Sequence, residues 1–195
     1  APQMAAHFPG LHADRRAAAL PKEKALRFAA AAEQLTPDAL ASLLTELKSD
    51  RATRDGARLL LTELKRPLPS SVTELRKRLS AIGEEAFFAL LTLKEAGYGT
   101  EVEPAVGENL AVRITELRNE ARHILERGDC LGMHALAIGG EELLRLGVPK
   151  GPALGACLRA LLDYVLEDPA RNEREVLLVY VKRRQEAQNK EDRGQ

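Results

Sequence analysis

Leucine and alanine recur at spacings of three and four along most of the chain, and β-branched residues are sparse. That period matches the turn of an α-helix rather than the alternation of a strand, so helix is expected nearly everywhere. Thr36-Pro37-Asp38 supplies an N-cap, a proline for the first helical position and an acid for the first turn. Leu40, Leu43, Leu44 and Leu47 then line one face. A second helix runs through Leu59, Leu60, Leu61 and Leu64 and stops before Pro67 and Pro69, which cannot continue the hydrogen-bond ladder. Ser71-Val72-Thr73-Glu74 has the form of a capping box and opens a helix carrying Leu75, Leu79 and Ile82, closed by Gly83.

Further helices are expected around Phe87, Phe88, Leu90, Leu91 and Leu93, and around Val112, Ile114, Leu117, Ile124 and Leu125. Three more follow, over 141–146, 152–167 and 172–188. The segment from Gly97 to Pro104 is the strongest internal break, which divides the chain into expected helical regions 1–101 and 102–195. Each helix is too short to be stable alone, so the stripes must be buried against one another. The expected fold is all-α, an irregular array of about eight amphipathic helices with no β-sheet.

Lys plus Arg number 29 and Asp plus Glu number 29, so any attraction to nucleic acid must come from a local patch. No apolar run approaches the roughly 18 residues of a membrane span, and no charged-then-apolar leader is seen. A cytoplasmic protein is expected, with Cys130 and Cys157 as reduced, buried thiols. The opening Ala1-Pro2-Gln3 reads as the end left by removal of an initiator Met, by cutting of a longer protein or by trimming of a tag.

Chemistry is harder to place. His7, His12, His123 and His134 lack metal-ligand spacing, and Cys130 with His134 is two ligands, not a site. Gly139-Gly140 follows no strand and precedes no Lys-Ser or Lys-Thr, so the phosphate-loop reading fails. Acid pairs such as Glu84-Glu85 and Glu141-Glu142 read as helix starts or solvated faces. No catalytic residue and no metal ligand is assigned in this chain.

Charge is more informative between 51 and 78. Arg51, Arg54, Arg58, Lys65, Arg66, Arg76, Lys77 and Arg78 face only Asp55, Glu63 and Glu74, leaving five excess positive charges. This is either a solvated helix face or a ridge for nucleic-acid phosphates. Val148-Pro149-Lys150-Gly151-Pro152-Ala153-Leu154-Gly155 places Lys150 beside a helix start. It is either an ordinary helix opening or a phosphate-receiving one.

The run from Ala135 to Ala156 continues with Leu161-Leu162, Val165-Leu166-Glu167 and Asn172-Glu173-Arg174-Glu175. It resembles the C-terminal end of bacterial class II CCA-adding enzymes, the tRNA nucleotidyltransferases. In that family a segment like L-x-I-x-G-x-D-L leads through G-x-x-x-G-P-x-[IL]-G to a helix and a closing N-E-x-E. Here Glu142 stands where the family usually has Asp. Phe8-Pro9-Gly10-Leu11, Lys24 to Ala29 and Leu47-Lys48-Ser49 resemble the family's body region less specifically. Glu167-Asp168-Pro169-Ala170-Arg171 spells the family's E-D-x-x-R nucleotide template but lies in the tail, so that likeness is accidental.

The resemblance implies the body and tail of such an enzyme without its head and neck. The family's catalytic head carries a D-x-D metal pair on a β-sheet, which this sequence does not match. Cofactors are therefore expected to be none in this chain, with magnesium, CTP and ATP serving the parent enzyme. The implied role is to anchor the acceptor and T arms of tRNA through phosphates, with Arg51, Arg54, Lys65, Arg66, Arg145, Lys150 and Arg159 as candidate contacts. Expected partners are tRNA, the missing head and neck and, as an option, a second copy of the chain, with no membrane. Alternatives are a non-catalytic helical protein-interaction module, or a fragment of a related CC-, A- or poly(A)-adding enzyme.

Overall fold

The computed structural model describes residues 15–102 and 110–193. His7, His12, the Phe8-Pro9-Gly10-Leu11 match and part of the Gly97–Pro104 break lie outside the described residues. Among the described residues the chain is helical, without strand or sheet. The helices are α1 (Arg15–Ala19), α2 (Lys24–Ala31), α3 (Pro37–Glu46), α4 (Arg51–Leu64), α5 (Val72–Ile82), α6 (Glu84–Glu95), α7 (Leu110–Glu126), α8 (Gly140–Arg145), α9 (Pro152–Glu167) and α10 (Arg174–Arg193). Short 3-10 turns occupy Thr100–Val102, Met133–Ala135 and Pro169–Arg171. No described helix is long and apolar enough to cross a membrane.

The capping residues act as their chemistry dictates. Thr36 Oγ1 accepts from the Ala39 amide at 3.2 Å, with Pro37 opening α3. Ser71 Oγ accepts from the Glu74 amide at 3.2 Å before α5. Asp50 caps α4: the Thr53 amide and hydroxyl both donate to its carboxylate at 2.8 Å. Those two bonds, the amide first, hold the Asp50 carboxyl below its ordinary range.

The helices group into two compact units, one from the described residues of 1–70 and 82–120, the other from 71–81 and 121–193. The grouping is interleaved in sequence. In the first unit α2, α3, α4 and α6 enclose a core that includes Leu26, Leu40, Leu44, Leu61, Leu90 and Tyr98. Gly56 lets α2 and α4 close together, since a Cβ there would stand 3.2 Å from that of Ala25. In the second unit Ile138, Leu143, Val148, Leu161, Val165, Leu177 and Val181 are buried together between α8, α9 and α10. Cys130 and Cys157 belong to this core as free thiols, and burial pushes both above the ordinary thiol range.

Two charged residues, Glu63 and Lys94, are buried in the first unit. Lys94 is 1% exposed, and its Nζ donates to the Gly99 carbonyl at 2.7 Å and the Arg66 carbonyl at 3.1 Å. It thereby ties the end of α6 to the segments that follow α4 and α6. Lys94→Met keeps the stem and removes the donors, leaving two carbonyls short of a partner. The expected loss is about 2–3 kcal/mol, read as a fall in the urea midpoint. A midpoint within error of the parent chain would show that the ammonium contributes nothing.

Candidate nucleic-acid interface

The cations of α4 have a common direction. Arg51, Arg54 and Arg58 stand at i, i+3 and i+7, which places them on one side of the helix, and Lys65 at the C-cap prolongs the row. Three of them reach toward the antiparallel neighbour α3. Lys65 Nζ donates to the Leu35 carbonyl at 2.7 Å, Arg58 Nη2 to Asp38 Oδ1 at 2.8 Å, and Arg54 Nη1 points at Thr45 Oγ1 from 3.5 Å. The row therefore straps α4 to α3 from one end to the other.

These contacts divide the cations by what remains for a ligand. Arg58 and Arg51 face carboxylates, the latter Asp55 at 3.2 Å. Lys65 and Arg54 contact neutral oxygens in those bonds, so their charges are not offset there. Arg66 Nη1 lies 3.2 Å from Glu63 Oε1, whose side chain is 4% exposed. That arginine supports a buried carboxylate as well as facing solvent.

The stretch 51–78 is not one solvent-facing ridge, as the charge count alone suggested. Arg76 and Asp129, both in the second unit, form an ion pair at 2.9 Å with side-chain exposures of 13% and 6%. Arg76 is committed to the interior. Lys77 Nζ lies 3.8 Å from Glu167 Oε1.

In the second unit the remaining candidates gather around α8 and α9. Arg145 pairs with Glu141 at 3.6 Å on an exposed face, an i,i+4 contact of little energetic weight. Gly147 and Val148 donate to the carbonyls of Leu144 and Leu143 at 3.0 Å, which closes α8 and turns the chain toward Lys150. Lys150 is exposed. Gly151 follows at φ 93°, a conformation a side chain resists, and caps α9 without a side-chain bond. The first amides of α9 are thus left for solvent or an anion, with Lys150 adjacent.

Gly155 faces Arg159 and not a neighbouring helix. A Cβ there would meet the guanidinium of Arg159 at 3.5 Å, so Arg159 lies back along the first turns of α9. A cleft of about 490 Å³ is lined by Val148, Pro149, Ala153, Cys157, Arg184 and Gln185, among others. Arg184 also lines a second groove with Arg159. Arg184 was not among the sequence candidates, although the run Lys182-Arg183-Arg184 on α10 carried the signal.

The motif residues hold this arrangement in place. Asn172 Oδ1 accepts from the Ala137 amide at 2.8 Å, and its Nδ2 donates to the Ala135 carbonyl at 3.0 Å. Glu142 pairs with Arg174, and Gln185 Nε2 donates to the Leu146 carbonyl at 3.1 Å. The spaced elements of the tail thus act on one another, fixing α8, α10 and the loop before α8. No group of three or more potential metal-ligating side chains occurs among the described residues.

A helical unit whose motif residues brace a basic loop and helix start defines the class of module. The model of the family described as tRNA nucleotidyltransferase domain 2 matches residues 22–181, and the chain belongs to that family. Neither the curated proteins nor the solved structures contain a match to it.

Proposed function

We propose that the chain is the tRNA-binding C-terminal part of an enzyme that adds CCA to tRNA 3′ ends from CTP and ATP. Its role is to anchor the acceptor and T arms through phosphate contacts. Addition of nucleotides, with the magnesium it needs, belongs to a head domain elsewhere in the parent protein. The observation that carries the reading is the family match over 22–181, which includes both basic regions. The exposed, unstrapped cations Lys150 and Arg159 beside the uncapped start of α9 are chemically suited to phosphate oxygens. Arg54 and Lys65 are secondary candidates, because phosphate binding would compete with their contacts to α3. Arg51, Arg66 and Arg145 already face carboxylates and are the weakest.

Fluorescence anisotropy with a tRNA transcript lacking CCA, against single-stranded RNA of equal length, tests this at two salt concentrations. Preferential tRNA binding that weakens with salt is expected. Replacing Lys150, Arg159 and Arg184 together by alanine is expected to lower the slope of log K against log salt by about 2–3 in magnitude. Salt-insensitive capture of a protein instead of tRNA would favour a helical protein-interaction module and overturn the proposal.

A further inference from the structure

Tyr164 on α9 and Tyr180 on α10 stack, their ring centroids 4.3 Å apart and their planes 24° apart. The guanidinium carbon of Arg171 lies over the Tyr164 ring, 4.4 Å from its centroid. Two groups at that height cannot share one face of a ring, so Tyr164 is held between Arg171 and Tyr180. Arg171 is itself fixed. Its Nη1 donates to the Tyr164 carbonyl and to Glu167 Oε2, both at 3.2 Å, and its Nε lies 3.6 Å from Asp168 Oδ2.

Arg171, Tyr164 and Tyr180 therefore form a preformed ladder, ordered without a ligand. Both tyrosines are half-buried and border an open groove of about 430 Å³ between α9 and α10, lined also by Arg159, Asp163, Glu167 and Arg184. A flat π-system is the natural partner for such a rim, because stacking continues a ladder whose ordering cost is already met by the fold. The two arginines supply positive charge for phosphate oxygens. Asp163 supplies an acceptor, whereas Glu167 is already engaged by Arg171 and Lys77. Stacking area, flanking cations and a hydrogen-bond acceptor together match an unpaired nucleotide.

We propose that this groove binds one unpaired nucleobase of RNA. The base stacks on Tyr180, its flanking phosphates meet Arg159 and Arg184, and the Asp163 carboxylate accepts from an exocyclic amino group. The proposal rests on the tRNA-binding reading and adds to it a mode of contact that duplex phosphates alone do not require. Cytidine is preferred over uridine, which has no exocyclic amino group.

The chain offers a direct readout, since it has three tyrosines and no tryptophan. Tyr98 is 1% exposed and covered by Arg16, whose guanidinium carbon lies 4.1 Å from the ring centroid. Tyr98 adds a constant background, so a change in tyrosine fluorescence on adding ligand reports mainly on the ladder. Titration with a cytidine trinucleotide is expected to quench it, a uridine trinucleotide to bind several-fold more weakly, and a blunt RNA duplex to leave it unchanged. Tyr180→Phe retains binding and Tyr180→Ser weakens it about tenfold. Asp163→Asn, a surface change that spares the stack, abolishes the preference for cytidine even if Tyr180→Ser fails to fold.

Trinucleotide binding unchanged in folded Tyr180→Ser overturns the proposal, as does equal quenching by the duplex. If tRNA binds with the expected salt dependence and the trinucleotides do not, the stacking site is wrong while tRNA anchoring stands. Absence of both kinds of binding removes the two readings together.

Discussion

Gly99→Ala is expected to destabilise the first helical unit by about 2–4 kcal/mol, combining left-handed backbone strain with overpacking. Gly99 has φ +59°, and a Cβ built on it would stand 2.5 Å from the backbone oxygen of Leu64 and 2.6 Å from its Cγ. Leu64 is 1% exposed and cannot withdraw. Nor can the turn retreat. The Gly99 amide donates to Glu33 Oε1 at 2.6 Å while its carbonyl accepts from Lys94 at 2.7 Å. Gly128→Ala is the control, because Gly128 has φ +68°, close to that of Gly99, with nothing within 4 Å of a built Cβ. It carries the backbone penalty alone, about 1 kcal/mol. Urea midpoints of the two variants separate strain from collision. Equal losses would mean that the Leu64 contact yields at no cost.

That turn also marks where sequence reading ends. The cap at Thr36-Pro37, the Ser71 cap and the stop before Pro67 are local signals, and each helix begins or ends where its own residues dictate. Gly97-Tyr98-Gly99 reads locally as a break, and in the described residues it does end α6. What spacing could not reveal is that it is pinned. Gly99 is bonded to Glu33, 66 residues earlier, and the Gly97 carbonyl to Arg16, 81 residues earlier. The same holds for charge. Arg76, Lys77 and Arg78 look alike in a composition window, yet Arg76 is withdrawn because Asp129, 53 residues later, meets it in the interior. In the candidate interface, Lys150 and the helix start at Pro152 were legible as a loop-to-helix motif. Arg184 stood in a visible basic run, but its place beside Arg159 exists only once α9 and α10 pack together.

The second large effect concerns that interior pair. Asp129 is 6% exposed and accepts from Arg76 Nε at 2.9 Å, while Arg127 Nε and Nη2 approach its two oxygens at 3.3 Å. Burial by itself raises the Asp129 carboxyl, but the bonds from Arg127 and Arg76 outweigh it, so the group titrates below the ordinary aspartate range. A depressed folded-state value means that folding favours the ionised form. The resulting stability is fully present above the unfolded aspartate value, about 3.9, and is lost as pH falls through the lower folded value.

Asp129→Asn keeps the shape and removes the charge, leaving Arg76 at 13% side-chain exposure with its carboxylate partner gone. The expected loss is about 2–4 kcal/mol near neutral pH, below the full cost of breaking a buried pair because Arg127 is half exposed and can relax. Arg127→Gln removes the more exposed partner and costs about 1 kcal/mol. Urea unfolding of the parent chain and Asp129→Asn down a pH series distinguishes this from lost packing. The two curves are expected to begin converging as pH falls below about 3.9 and to meet only once it has passed through the lower folded value, where the parent carboxylate in the folded chain also loses its charge. A gap that stays constant into acid would assign the effect to shape rather than to the ion pair.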